Sequence, residues 1–175
     1  MTGREHSDAG ALRTRIDAFL AAHTTLSVAT VGDGGTPAAA AVFYAHDADL
    51  NLYFLSEAGT QHGSNMTAGS GVACTIQADG QDWRQIRGLQ ISGWGMLVTP
   101  TGMPHATAVY SRKFAFVGAL LAGLQAPGVL AGPLARARFW VLRPRWFRLI
   151  DNTRGFGFKD ELVLPDEGPR WSPEK

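Results

Sequence analysis

A chain of 175 residues with 45% apolar content is long enough for one domain with a real core, and too apolar for a disordered chain. Its formal net charge of +1 gives no concentrated basic surface of the kind nucleic acid requires. One cysteine excludes an internal disulfide framework, and no Cys/His spacing marks a metal site.

The opening MTGREHSDAG lacks a basic segment followed by an apolar one, so it does not read as a secretory signal and a cytoplasmic location is expected. Ser7 or Asp8 can cap a first helix that runs to near His23. Leu12, Ile16, Phe19 and Leu20 share one face of it at helical spacing. TTLSVATV, PAAAAVFYAH and LNLYFL then read as three strands of an antiparallel meander, joined by the turns GDGGTP and HDAD. Thr60 can cap a short helix through Ala68. GVACTIQA is a fourth strand, in which Cys74 alternates with Val72 and Ile76 as a core thiol would.

RQIRGLQISGWGMLV is a long fifth strand, with glycines at 88, 93 and 95 where a barrel would bend. A second helix starts near Pro104, with Ala106, Val109, Tyr110, Phe114 and Val117 inward. From Phe114 to Ala135 no residue is charged, yet Pro127, Pro133, Gln125 and four glycines interrupt the run. It reads as a lid or as a surface buried against a second subunit, with no membrane span expected. RFWVLRPRWFRLID closes the set. Its arginines, with Arg136, alternate with apolar residues like the solvent face of strands. About six short strands, two main helices and the turns between them favour a mainly β fold: a six-stranded antiparallel split β-barrel with flanking helices, one domain over 1–164 and a loose tail over 165–175.

The corner FLSEAGTQHGSNM, residues 54–66, carries the most chemistry. A strand ends there and a helix begins, so backbone N–H groups without helical partners meet the hydroxyls of Ser56 and Thr60, the amide of Gln61 and the ring of His62. These donors suit a phosphate. On spacing alone, Thr60 as a simple cap with Gln61 and His62 facing water is the favoured reading.

The order of elements, the corner, IRGLQISGWG at 86–95 and FRLIDNTRGFGFKDEL at 147–162 together resemble the flavin-binding split barrels related to pyridoxamine 5'-phosphate oxidase, in particular their small, poorly characterised members. The resemblance covers about 12–100 and 138–162 and leaves the apolar stretch between Gly118 and Ala135 aside. It implies FMN. Leu55 and Ser56 match the strand end that holds the phosphate and Thr60 matches the hydroxyl of the helix start, while Gln61 and His62 stand where the family often has Arg and Lys. Ala40, Ala41, Val42 and Phe43 match positions whose backbone lies along the isoalloxazine ring, with Ala40 in place of an arginine common in the oxidases. Gln90 matches a glutamine that meets the cofactor, and Trp146 and Arg148 can approach it from the closing strand.

The resemblance also implies a homodimer with two flavin sites between subunits. The expected activity is an FMN-dependent oxidoreductase of a small-molecule redox substrate other than vitamin B6, with no catalytic acid or base identified. His46, His105 and Tyr44 have no assigned place. Haem or a deazaflavin on the same fold, and a cofactor-free binding or stress-associated protein, are the other readings.

Overall fold

The computed structural model describes residues 2–66, 69–80, 82–117 and 136–165, with the side chains of the first helical turns, 2–8, left aside. The apolar stretch over 118–135 and the tail beyond 165 lie outside the described residues. Among the described residues, no helix is long and apolar enough to cross a membrane.

The elements in chain order are α1 (Thr2–Ala22), β1 (Thr25–Val31), β2 (Pro37–His46), β3 (Leu52–Glu57), α2 (Gln61–Met66), β4 (Ser70–Gln77), β5 (Arg87–Leu97), α3 (Met103–Lys113), β6 (Ala137–Asp151) and β7 (Lys159–Val163). The sheet runs β3-β2-β1-β4-β5-β6-β7, and β3 also pairs with β6. That last pairing, Leu52↔Leu142 through Glu57↔Ala137, closes six strands into a barrel and leaves β7 outside it. The barrel is split on one side: β2 meets β3 only at Tyr44–His46, and the two strands part before Ser56.

Alternation along the strands sets the inside. Leu26, Val28, Val72, Cys74, Ile76, Leu89, Ile91, Phe147 and Leu149 point inward and are buried in one cluster. Burial pushes the Cys74 thiol up to about 12, so it is a core group as expected. Helix α1 covers one end of the barrel with Leu12, Ile16, Phe19 and Leu20. Tyr44 and Lys113 secure it by donating to the carbonyl of Leu20, at 2.9 Å each. Helix α2 lies at the other end, where the buried Met66 joins the same cluster. A second cluster, built on Tyr53, Ala106, Val109, Tyr110, Phe139 and Val141, seats α3 on the outside of β3 and β6.

Pro144 has a definite place. The β5–β6 ladder shifts register between Ser92 and Gly93, opposite Pro144. A Cβ at Gly93 would lie 2.1 Å from the Arg143 carbonyl oxygen, so the two backbones approach at a distance only glycine permits. The expected six strands are the barrel strands; β7 is an addition. It pairs with the second half of β6, on the edge that β3 occupies along the first half.

Candidate functional site

The corner between β3 and α2 is built by a short series of hydrogen bonds. The Thr60 N–H and hydroxyl both donate to the Glu57 carbonyl, at 3.2 and 2.8 Å. The same hydroxyl accepts from the Gly63 N–H at 3.2 Å, which is the N-cap read from the sequence. Gly63 is fixed by space: a Cβ there would meet the carbonyls of Glu57 and Ala58 and the Thr60 hydroxyl at 2.8–2.9 Å. The tight corner turns the ring of His62 inward, with only 9% of the residue exposed. Its Nε2 lies 2.7 Å from Ser56 Oγ and 3.3 Å from Thr60 Oγ1, and the two hydroxyls are 3.4 Å apart. Burial lowers the His62 pKa, which favours the neutral imidazole near neutral pH.

The structure therefore brings Ser56, Thr60 and His62 together and separates Gln61 from them. Gln61 is exposed and donates to Asn65 Oδ1 at 3.0 Å, on the outer side of α2. Asn65 in turn donates to Thr30 at 2.9 Å and ties α2 to β1. Leu55 turns away from the corner and packs with the α3 cluster. A residue that sequence reasoning missed is Trp140. It is fully buried, and its indole N–H donates to the Ser56 carbonyl at 3.1 Å, fixing the strand end that carries the hydroxyl. Its only signal was a tryptophan on the closing strand.

Of the remaining positions, Ala41, Phe43, Gln90 and Trp146 lie on the outer face of the barrel. Along β2, Ala40 and Val42 pack toward the core, whereas Ala41 and Phe43 are exposed. Cross-strand registers line up Ala41, Ser27, Thr75, Gln90 and Arg148 in one row. The next row is Ala39, Ala29, Ala73, Ser92 and Trp146. At about 4.8 Å per strand, Ala41 and Gln90 stand about 14 Å apart across a floor of small side chains. Arg148 donates to Glu161 of β7 at 2.9 Å and to Gln90 at 3.4 Å, and Trp146 donates to Glu161 at 3.1 Å. Trp146 is thus a half-buried surface residue with its N–H committed, and not part of the core. A depression of 380 Å³ lies beside these rows, bordered by Val31, Ala73, Ser92, Trp94 and Arg145.

The three unplaced side chains have structural partners. Tyr44 is buried in the core cluster. His46 Nε2 lies 3.0 Å from Asp17, and the half-exposed His105 lies 3.2 Å from the buried Asp47. No cluster of His, Cys, Asp and Glu fit to hold a metal ion occurs among the described residues.

No family model matches the chain. It is 29% identical to a UPF0306 protein of Photorhabdus laumondii over 145 residues, 82% of this chain and 90% of that protein. A UPF0306 protein of Cronobacter sakazakii is 29% identical over 130 residues, 74% of this chain and 80% of that one. Among solved structures, an FAD and haem binding protein from Mycobacterium smegmatis superposes with a TM-score of 0.58 at 17% identity, over 93% of this chain and 89% of that chain. A haem binding protein from the same organism gives 0.62 at 18% identity, over 84% of this chain and 56% of the larger one. The haem storage protein HutZ from Vibrio cholerae gives 0.57 at 15% identity, over 86% and 92%. At these identities the likeness is one of fold: the six-stranded barrel with its helices.

Proposed function

We propose that the chain is a flavin-binding protein of the split-barrel type related to pyridoxamine 5'-phosphate oxidase, and an oxidoreductase of a small-molecule substrate. The observation that carries this reading is the corner at the split, where Ser56, Thr60 and His62 converge within 2.7–3.4 Å on a rigid turn. A phosphate at that corner would take the Ser56 hydroxyl that now meets the ring of His62, while the Thr60 hydroxyl, whose proton goes to the Glu57 carbonyl, keeps the turn in shape, with Gln61 at its rim. The ring of the flavin would lie along β2 toward the small-residue floor, where Ala39, Ala41, Ser27 and Ala73 leave room for a flat aromatic system. A bound flavin supplies the redox chemistry. The chain's own residues bind and orient it, and no side chain of the corner is required as an acid or base.

The floor is covered by no helix among the described residues, and Val31 and Phe43 on its margin are 59% and 58% exposed. A second copy of the chain packed on this face would cover the ring, in line with the homodimer that the resemblance implies. Haem is the second reading, favoured by the haem-binding proteins that share the fold.

Titration of purified protein into FMN, followed by flavin fluorescence, tests the reading. Saturable quenching that weakens at least tenfold in Ser56→Ala and Thr60→Val is the expected result. Absence of binding would overturn it, and a Soret band on adding haem would replace it with the second reading.

A further inference from the structure

The ladder that closes the barrel, β3 against β6, runs through the pairs Leu52↔Leu142, Phe54↔Trp140 and Ser56↔Arg138. Directly opposed residues of an antiparallel pair project from one face, with Cβ atoms about 4.5–5.5 Å apart. The first two pairs lie in the barrel core, whereas residues of the opposite phase, Tyr53, Phe139 and Val141, pack under α3 on the outside. Arg138 is therefore in phase with the barrel interior, on the face that carries Ser56. Its exposure marks the mouth where that interior opens to solvent. It departs from the solvent-face role expected of the arginines of the closing strand. We propose that Arg138 is the cation of an anion site at this mouth, formed with Ser56 and His62, and that the site takes a terminal phosphate monoester. The inference rests on the flavin reading above and names the residue that holds the charged end of its ligand.

Two observations carry it. The first is the distribution of charge. Helix α2 brings no full cation to the corner: the Gln61 amide is committed to Asn65 at 3.0 Å, and burial favours the neutral imidazole of His62. Arg136 is engaged on the other phase, where it pairs with Glu57 at 3.1 Å. Arg138 donates to the carbonyl of its own neighbour, Ala137, at 3.1 Å. A phosphate monoester carries about −1.5 to −2 near neutral pH and offers the planar guanidinium two oxygens at once, a stronger acceptor than one carbonyl.

The second is the fixed geometry of the mouth. The indole N–H of Trp140, two residues from Arg138, donates to the Ser56 carbonyl at 3.1 Å. His62 Nε2 lies 2.7 Å from Ser56 Oγ. Hydroxyl, ring and the strand that carries the guanidinium are thus held in one register, so an anion that meets Ser56 is within reach of Arg138.

Fluorescence titrations of FMN and riboflavin, which differ only in the phosphate, into wild type, Arg138→Gln and Arg138→Lys test the proposal. Arg138 is exposed, so both variants retain the barrel. FMN binding is expected to weaken about tenfold or more in Arg138→Gln, and less in Arg138→Lys, which keeps the charge and loses the planar fork. Riboflavin binding should be unchanged in both. Unchanged FMN binding in Arg138→Gln, or an equal loss of FMN and riboflavin, overturns this inference and leaves the flavin reading intact. If neither flavin binds wild type, the flavin reading falls, and inorganic phosphate decides for the anion site alone. A thermal midpoint raised by phosphate over chloride at equal ionic strength, and not raised in Arg138→Gln, supports it; no rise in wild type overturns it.

Discussion

Replacing Gly63 with alanine sets two effects of opposite sign against each other. Glycine within a helix is less stable than alanine by about 1 kcal/mol, so the change would ordinarily stabilise α2. Here the added Cβ would stand 2.8 Å from the Glu57 carbonyl, and 2.9 Å from both the Ala58 carbonyl and the Thr60 hydroxyl. None of these is a flexible side-chain end. The Glu57 carbonyl is held by two donors from Thr60, and the hydroxyl is itself the helix cap. Forcing extra volume into such a site costs about 1–3 kcal/mol, which exceeds the propensity gain. Gly63→Ala is therefore expected to destabilise the protein by about 0–2 kcal/mol and to weaken flavin binding by moving Ser56 away from His62. Gly10→Ala in α1 is the matched control, because a Cβ there meets nothing within 4 Å. It should stabilise by about 0.5–1 kcal/mol. Urea unfolding of the three proteins measures both. If Gly63→Ala stabilises as much as Gly10→Ala, the corner is not packed as described.

The lowered pKa of His62 gives a pH prediction: below the ordinary histidine range the unfolded chain takes up a proton that the folded corner resists, so stability falls as pH falls, by at most about 1.4 kcal/mol per pH unit. Solvent at the corner and hydroxyls that can turn reduce this ceiling, and His62→Gln should lack the dependence in urea midpoints measured between pH 5 and 8. For Asp47, burial pushes the carboxyl up, but hydrogen bonds from Asn51, His105 and Tyr53 outweigh it and leave its pKa lowered. Its contribution is thus present above the ordinary carboxylate range and is lost as pH falls through the depressed value. Asp47→Ala should cost about 1–3 kcal/mol by leaving these donors unmet, seen as a lower thermal midpoint. Cys74 is 2% exposed, so the folded protein should not react with a thiol reagent until denaturant is added. Rapid labelling of the native protein would contradict its place in the core.

The barrel strands were readable because their alternation is local: Val72, Cys74 and Ile76 repeat every second residue, and each is buried. The same holds for the inner face of α1. Closure of the barrel was not readable in its details. Ser56 pairs with Arg138 across nearly half of the chain length, and no local pattern encodes that partner. Strand β7 is not legible because its inward face is only half-buried and carries Asp160 beside Leu162, so KDELV shows no apolar alternation. At the corner, the residue types of Ser56, Thr60 and His62 were legible, as was the cap. The inward turn of His62 and the outward turn of Gln61 depend on helical phase within a six-residue helix. A shift of one residue would exchange them.

The most direct test of the central claim is the visible absorption spectrum of the purified protein, recorded after saturation with FAD or FMN and passage through a gel-filtration column. The account predicts a flavin spectrum that travels with the protein in wild type and is lost or much reduced in Ser56→Ala. A protein that emerges colourless after exposure to both flavins would contradict it.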